Sequence, residues 1–233
     1  VLTFDCYGTL IDWESGIHTA LQPLLARGEH ELSRDSALEV FARHEAAQEA
    51  QTPGMIYSEL LGVVHRRVAT ELGLKTTPAE DAAFGGSVPD WPVFADTVSA
   101  LQYLKKYFKL VILSNVDRAS FKGSNARLGV AFDAVYTAQD VGSYKPNPAN
   151  FTYMLEHLAV LGHEPGDILH TAQSLFHDHG PARAFGLASA WIDRRHDLHG
   201  WGATPPPPDG AAYDFRFASL AAMMKAHQDE IRA

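Results

Sequence analysis

The sequence predicts an α/β protein in which a Rossmann-like, doubly wound parallel sheet forms the core and a helical cap domain is inserted into it. Short apolar segments rich in β-branched residues recur at wide spacing, with helical patterns between the later ones; this is typical of buried parallel strands joined by helices. The stretch 15–86 instead shows mostly helical pattern and no convincing strand. We therefore predict a core domain of residues 1–14 and 87–233 and a cap domain of residues 15–86.

The predicted elements follow from apolar spacing and from the residues that bound each segment. Strand segments are short, apolar and bounded by polar residues, glycine or proline. Helical segments repeat apolar residues every three or four positions, and residues 147–162 add a proline near the start and a glycine at the end. The predicted strands are VLTFD (1–5), LVILSN (110–115), AVYTA (134–138), DILHTA (167–172) and LASAWID (187–193). The predicted helices span 38–50, 57–73, 94–107, 147–162 and 217–233.

Composition and charge restrict the classes of partner. The formal net charge is -9, so we expect neither a nucleic-acid partner nor an anionic membrane surface. No apolar stretch of the sequence is long enough to span a bilayer. Cys6 is the only cysteine, which excludes an intramolecular disulfide and favours the reducing cytoplasm.

Reactive side chains follow four of the predicted strands. Because the carboxyl ends of parallel strands meet at one edge of a sheet, these side chains should share one pocket. Taken singly, each has an ordinary explanation as a cap, a turn or a solvated loop residue, so only the combination indicates a site. The residues are Asp5 and Thr9 after the first strand, Ser114 and Asn115 after the second, Lys145 after the third, and Gln173, Ser174, His177 and Asp178 after the fourth.

The motifs at these positions resemble those of the haloacid dehalogenase superfamily over nearly the whole chain. They read DCYGTL at 5–10, SN at 114–115, YKP at 144–146 and DHGPA at 178–182. Within the superfamily, FDCYGTLIDW, ILSN and SYKPNP resemble the type II (S)-2-haloacid dehalogenase branch, and the longer strings are also similar to azetidine-2-carboxylate hydrolases of that branch. The resemblance implies a small carboxylic acid substrate, water as the second reactant and no cofactor. Whether the chain forms a homodimer stays open.

The resemblance also implies a two-step reaction on Asp5. The ionised Asp5 would displace a leaving group from C2 of the acid, with inversion, and water would then cleave the resulting ester at the Asp5 carbonyl. Lys145 would keep the pKa of Asp5 low, and Asp178 would act as general base. Thr9 and Ser114 would orient the carboxylate or hold the acid group of the substrate.

Substrate contacts are predicted beside these catalytic residues. Arg43, with Arg34 as a second candidate, is the nearest match to the cap arginine that often cradles the departing halide in this branch. His44 and Glu45 could instead serve another leaving group, such as a protonated ring nitrogen. The predicted substrate-binding residues are Tyr7, Asn115, Arg43, Ser174, Phe151 and His177.

The magnesium-dependent phosphatases of the superfamily are the main alternative. They carry a second aspartate where this chain has Tyr7, and usually another where it has Gln173. A phosphate dianion near Asp5 needs a divalent cation to offset repulsion, and two missing carboxylates leave a poor Mg²⁺ site. We therefore predict no metal. Neighbouring side chains of one loop rarely converge on one ion, so His177 is expected to position Asp178 rather than bind metal.

A phosphoacceptor receiver and a catalytically inactive binding protein are the remaining alternatives. Receivers are shorter, carry their acceptor on a middle strand and need an acidic pair for Mg²⁺, whereas Asp5 follows the first predicted strand. The joint presence of Asp5, Lys145 and Asp178 disfavours an inactive protein. The chain also departs from the dehalogenase pattern, because the fourth motif lacks its usual asparagine and Phe151 stands where a tyrosine is typical.

Overall fold

A computed structural model describes residues 1–28 and 32–232 of the chain. The strands are β1 (Leu2–Phe4), β2 (Leu110–Ser114), β3 (Ala134–Thr137), β4 (Leu169–Ala172), β5 (Ala188–Ile192) and β6 (Phe215–Phe217). They form one sheet in the order β3-β2-β1-β4-β5-β6, and every neighbouring pair is parallel. This is the doubly wound parallel arrangement of Rossmann-like proteins, so the predicted fold class is confirmed.

Helices cover the sheet and also form the long segment after β1. The described residues form α1 (Trp13–Leu25), α2 (Arg34–Gln51), α3 (Tyr57–Glu71), α4 (Pro78–Gly85), α5 (Thr97–Leu104), α6 (Arg118–Leu128), α7 (Ala138–Val141), α8 (Pro148–Val160), α9 (Gly180–Ala184) and α10 (Leu220–Glu230). Shorter turns are the 3₁₀ turns Val88–Asp90 and Pro165–Asp167 and the π-helical turn Leu175–His179.

The five predicted strands correspond to β1 through β5, and β6 was not predicted. β6 contributes only Phe215–Phe217 at the edge of the sheet, where Phe215 is half exposed. Three residues at an exposed edge are too few to show a strand period in the sequence. The predicted terminal helix corresponds to α10, and its last residue, 233, lies outside the described residues.

β1 lies at the centre of the sheet. Leu2 is opposite Leu110 of β2 on one side and opposite Leu169 of β4 on the other. The strand order reverses beside β1, since β2 and β3 extend in one direction and β4 to β6 in the other. In open α/β sheets, ligands bind in the crevice outside the carboxyl ends of the strands at such a point. The residues that follow β1 therefore stand where the topology places a site.

The sheet is buried on both faces. In β2, Leu110 and Ile112 belong to one apolar cluster, whereas Val111 and Leu113 belong to a second. Successive side chains of a strand point to opposite faces, so this alternation identifies a strand covered by helices on both sides. The apolar packing fixes the direction of β1 and, with it, the position of Asp5.

The segment after β1 is helical, as predicted. Its described residues form α1 to α4 and no strand. Phe41 of α2 packs against Phe84 of α4, and Thr77 with Glu80 forms a capping box at the start of α4. Residues 29–31 of the predicted cap lie outside the described residues. The division into two domains at these boundaries stays a prediction.

The chain leaves the sheet and returns to it at adjacent points. Ile11 forms an antiparallel bridge with Val93, and the Thr97 hydroxyl donates a hydrogen bond to the Leu10 carbonyl over 2.9 Å. The helical segment therefore begins and ends near the carboxyl end of β1, and this places it over that end of the sheet. None of the helices in the described ranges has the length and apolar character needed to cross a membrane.

Candidate active site

Asp5 follows β1 directly, and its carboxylate is buried with both oxygens engaged. Thr9 Oγ1 donates to Oδ2 over 2.8 Å, and Lys145 Nζ donates to Oδ1 over 3.0 Å. The turn between Asp5 and Thr9 depends on Gly8, whose φ of +91° is one that other residues rarely adopt, and a Cβ there would lie 2.9 Å from Trp13 Nε1. The DCYGTL motif therefore folds into a tight loop that returns a hydroxyl to its own aspartate.

Lys145 is the buried cation of the site. Its Nζ donates to Asp5 Oδ1, to Asp178 Oδ1 over 2.6 Å and to the Leu113 carbonyl over 2.9 Å, so all three protons of the ammonium have acceptors. Asn115 holds the backbone of Lys145 through both its N–H and its carbonyl: Lys145 N donates to Oδ1 over 2.7 Å, and Nδ2 donates to Lys145 O over 3.0 Å. Asn115 thus positions Lys145 in addition to lining the pocket.

Asp178 lies on the π-helical turn that follows β4. Its Oδ1 accepts from Lys145 Nζ and lies 2.9 Å from His170 Nε2, whereas Oδ2 has no hydrogen-bond partner among the described residues. His170 also lies 2.8 Å from the Thr3 hydroxyl through Nδ1. His170 is not among the predicted site residues, and its position within the apolar predicted strand 167–172 is the sequence signal for it.

The predicted role of His177 in positioning Asp178 is wrong. His177 Nδ1 lies 3.0 Å from Ser174 Oγ, and it is His170 that contacts the Asp178 carboxylate. Burial lowers the pKa of His177 to about 4, so its ring is neutral near pH 7. His177 instead contributes an uncharged ring to the wall of the pocket.

A small cavity opens above Asp5, at the carboxyl end of the sheet. Thr9 and Lys145 contact the Asp5 carboxylate directly. The predicted site residues that line the cavity are Asp5, Tyr7, Ser114, Asn115, Gln173, Ser174, His177 and Asp178. Its wall is completed by Trp13, Glu45, Glu49, Tyr57 and Thr204.

The structure does not bring Arg43 or Phe151 into this cavity. The Arg43 side chain is 59% exposed and pairs with Glu71 over 2.5 Å, because it lies on the outer face of α2. Phe151 is fully buried on α8 and packs against His170 and Phe185. Both predictions failed because sequence spacing does not show which side of a helix faces the sheet.

The acidic residues of α2 face the cavity instead. Glu45 and Glu49 follow the buried Phe41 at intervals of four residues, which places all three on one face of the helix. The sequence predicts Glu45 only as an alternative to an arginine, and Glu49 is not among the predicted site residues. The repeat of four places these residues on one face of α2, but the sequence does not show that this face meets the cavity.

The pKa of Asp5 is raised, contrary to the prediction. Burial is the main cause, and the Asp178 carboxylate adds to it, while Lys145 and Thr9 oppose it. For Asp178, burial also favours the neutral form, but Lys145 and His170 outweigh it and lower the pKa. The contact of Lys145 with Asp178 is shorter than its contact with Asp5, so the ammonium charge stabilises the Asp178 carboxylate more than the Asp5 carboxylate.

Turnover is expected to fall as pH is lowered through the raised pKa of Asp5. Protonation removes the nucleophile, so the acid limb of the kcat/KM profile should lie above the ordinary aspartate pKa of about 3.9. Initial rates measured from about pH 4 to about pH 8 test this. A rate that stays constant down to about pH 4 would contradict it.

The residues of the cavity do not suit a magnesium ion. Within the described ranges, no group of three or more His, Cys, Asp or Glu side chains is placed to hold a metal. The Tyr7 hydroxyl is hydrogen-bonded to Ser124 over 2.9 Å, and Gln173 Oε1 accepts from Thr204 over 3.1 Å. The two positions that supply carboxylates in the phosphatases thus carry neutral groups with partners within the protein.

Comparison with known proteins identifies the family of the chain. The family model for haloacid dehalogenase-like hydrolases matches residues 1–171. The (S)-2-haloacid dehalogenase of Xanthobacter autotrophicus is 28% identical over 209 residues, which cover 83% of this chain and 74% of that protein. The L-2-haloacid dehalogenase structure from Xanthobacter autotrophicus with chloropropionic acid covalently bound has a TM-score of 0.78 at 21% identity and 97% coverage of each chain.

A defluorinating L-2-haloacid dehalogenase has a TM-score of 0.77 at 21% identity and covers 100% of this chain and 94% of its own. At such identities the structural likeness establishes the fold. The family match takes in well over half of the sequence, from β1 through most of β4. The chain therefore belongs to the haloacid dehalogenase-like hydrolases.

Proposed function

We propose that this protein is a metal-independent hydrolase of the (S)-2-haloacid dehalogenase type, which displaces a leaving group from C2 of a small carboxylic acid through an ester on Asp5. The observation that carries the proposal is the buried Asp5 carboxylate, held between Thr9 and Lys145 at the floor of the cavity. The position two residues later is a tyrosine, Tyr7, rather than a second acid. A nucleophilic aspartate without a second aspartate two residues later suits attack on carbon better than transfer of a phosphoryl group.

In the first step, ionised Asp5 attacks C2 from the side opposite the leaving group. Lys145 and Thr9 fix the two carboxylate oxygens, which restricts the nucleophile to one orientation. The new bond joins an Asp5 oxygen to C2, and the electron pair of the broken bond departs with the leaving group. Attack from the opposite side inverts C2, so an (S)-2-haloacid gives an (R)-2-hydroxyacid.

In the second step, water attacks the carbonyl carbon of the Asp5 ester. Asp178 Oδ1 is anchored by Lys145 and His170, which leaves Oδ2, on the cavity wall, to accept a hydrogen bond from that water. The low pKa of Asp178 makes its carboxylate a weak base, so orienting the water is the larger part of its proposed role. Hydrolysis returns the Asp5 carboxylate.

The cavity limits the size of the acid. Its volume is about 30 Å³, which is room for about two or three water molecules. Ser114 Oγ is buried on the cavity wall and has no hydrogen-bond partner among the described residues, so it is a free donor for the substrate carboxylate. We therefore propose short-chain acids as substrates, and not long-chain ones.

A second candidate substrate is L-azetidine-2-carboxylate, whose ring nitrogen would be the leaving group. The specific observation in its favour is that Glu45 and Glu49 face the cavity while Arg43 does not. Two carboxyl groups attract a protonated ring nitrogen and repel a departing halide ion. The acidic wall therefore favours an amine leaving group, whereas the curated Xanthobacter relative is named for haloacids.

A substrate panel tests the proposed function. The protein is incubated, with and without EDTA, with chloroacetate, fluoroacetate, (S)-2-chloropropionate, L-azetidine-2-carboxylate and a generic phosphate ester. We expect halide release or ring opening that EDTA does not change, because Asp5 and Lys145 act without a metal. Phosphate release that EDTA abolishes would contradict the proposal and favour the phosphatase alternative.

A further inference from the structure

Two glutamates line the cavity from the cap side, opposite the sheet edge that carries Asp5. Glu45 and Glu49 lie one helical turn apart on α2, and both side chains are buried. The hydroxyl of Tyr57 donates to Glu45 Oε1 over 2.5 Å, and Asn115 Nδ2 donates to Glu49 Oε1 over 3.2 Å. These two neutral donors are the hydrogen-bond partners that the described residues supply to the pair.

No Lys, Arg or His side chain of the described residues forms an ion pair with Glu45 or Glu49, and Lys145 acts on Glu49 only from a distance. Lys145 is the nearest candidate, but its three protons are taken by Asp5, Asp178 and a carbonyl. Ionising both of two neighbouring buried carboxyl groups has a large free-energy cost, because the two negative charges repel each other. The pair therefore retains a proton near neutral pH. In agreement, burial raises the pKa of Glu45 to about 7 and raises that of Glu49 well above its usual range.

Two buried polar atoms without a partner among the described residues line the space between this pair and Asp5. Ser114 Oγ and Asp178 Oδ2 are buried and have no hydrogen-bond partner in the described part of the chain. Both residues line the same cavity as Glu45 and Glu49. Buried polar groups are normally paired, and each exception calls for a partner. A substrate that reaches Asp5 from this cavity therefore also reaches the acidic pair.

We propose that the Glu45–Glu49 pair donates a proton to the group that leaves C2. This inference rests on the proposed function, because it concerns the first displacement step. The Asp5 oxygen bonds to C2, the electron pair of the broken bond goes to the leaving atom, and that atom takes the proton from the pair. The pair regains a proton from the water that is consumed when the ester is hydrolysed, so the cycle balances as a hydrolysis.

A proton donor at this place favours substrates whose leaving atom is basic. Bromide and chloride leave as stable anions and gain little from a proton, whereas fluoride and amine nitrogen are basic leaving groups that acid catalysis assists. A pair that holds one proton and one negative charge also attracts a protonated ring nitrogen, and it can protonate the neutral amine that is released when the C2–N bond breaks. We therefore infer small 2-substituted acids with a basic leaving atom as the preferred substrates.

Single-turnover rates of ester formation test the inference. They are measured by quenching and intact-protein mass for fluoroacetate, L-azetidine-2-carboxylate and bromoacetate, in wild type, Glu45→Gln and Glu49→Gln. The ratio of the fluoroacetate or azetidine rate to the bromoacetate rate should fall by about 100-fold or more in at least one variant. Glu39→Gln, an exposed site on the same helix, is the matched control and should keep the wild-type ratio.

A pH profile separates proton donation from a structural role. The rate with fluoroacetate should fall as the pair loses its proton above about pH 7, and Tyr57→Phe should move this limb to higher pH, because the Tyr57 hydrogen bond lowers the pKa of Glu45. The charged and titratable groups that influence the pair electrostatically are Tyr57 on the helical segment and Tyr144 and Lys145 on the loop between α7 and α8.

The outcomes are distinguishable. If bromoacetate forms the ester but both glutamine variants keep the wild-type rate ratio, proton donation by the pair is wrong while the displacement function stands. If wild type forms no ester on Asp5 with any of the three acids, the displacement function is wrong and the inference falls with it.

Discussion

Replacing Asp5 with asparagine is expected to abolish turnover, with a fall in kcat of at least about 10⁴-fold. The amide is nearly the same size as the carboxylate but is a very weak nucleophile, so no ester can form. Lys145 keeps Asp178 as a partner in this variant, and we therefore expect the fold to persist. Activity on the best substrate of the panel and the circular dichroism spectrum check the two parts of the prediction.

Asp209→Asn is the matched control for this change, because Asp209 lies on an exposed loop. It should keep wild-type activity. A variant Asp5→Asn that is folded and retains activity within about tenfold of wild type would show that Asp5 is not the nucleophile.

Lys145→Met should remove both activity and a large part of the stability. The side chain lies between the buried carboxylates of Asp5 and Asp178, and without the ammonium both charges are uncompensated in a dry environment. Breaking a buried ion pair by removing one partner costs about 3–5 kcal/mol. The free energy of unfolding from urea titration measures the loss, with Lys75→Met at an exposed position as the control.

A second variant distinguishes charge imbalance from lost packing. Lys145→Met with Asp178→Asn removes one of the two uncompensated charges and should recover part of the stability, but none of the activity. If the single variant loses less than about 1 kcal/mol, or if the double variant is no more stable than the single one, the buried ion-pair explanation is wrong.

The parallel sheet could be predicted because each of the strands β1 to β5 is a short apolar segment with polar boundaries. Burial on both faces favours that composition in the inner strands β1, β2, β4 and β5, and the edge strand β3 still has two buried residues, Tyr136 and Thr137. β6 was missed because it is a three-residue edge strand whose Phe215 is half exposed. Its place in the sheet depends on pairing with β5, which local sequence does not encode.

The half of the site on the sheet could be predicted for the same reason. Asp5, Ser114, Lys145 and Asp178 follow strands, and the topology of a parallel sheet brings strand ends together. The contacts of these residues agree with that expectation, although the pKa of Asp5 does not, because burial and Asp178 outweigh Lys145.

The half of the site on the helical segment could not be predicted. The packing of the whole helical segment determines which face of α2 meets the sheet. In the folded chain, Glu45 and Glu49 face the cavity, whereas Arg43 faces solvent. His170 was missed for a related reason: its contact with Asp178 joins two residues whose side chains meet only in the folded core.

In the proposed reaction, Asp5 forms a covalent ester that water cleaves at the Asp5 carbonyl. A single turnover in H₂¹⁸O, with enzyme in excess over substrate, tests for this ester. We predict that the product hydroxyl carries the original Asp5 oxygen and that ¹⁸O appears in the Asp5 carboxylate, read by mass spectrometry of the peptide that contains Cys6. Label in the product with none in Asp5 would show direct attack by water on C2 and would rule out the Asp5 ester.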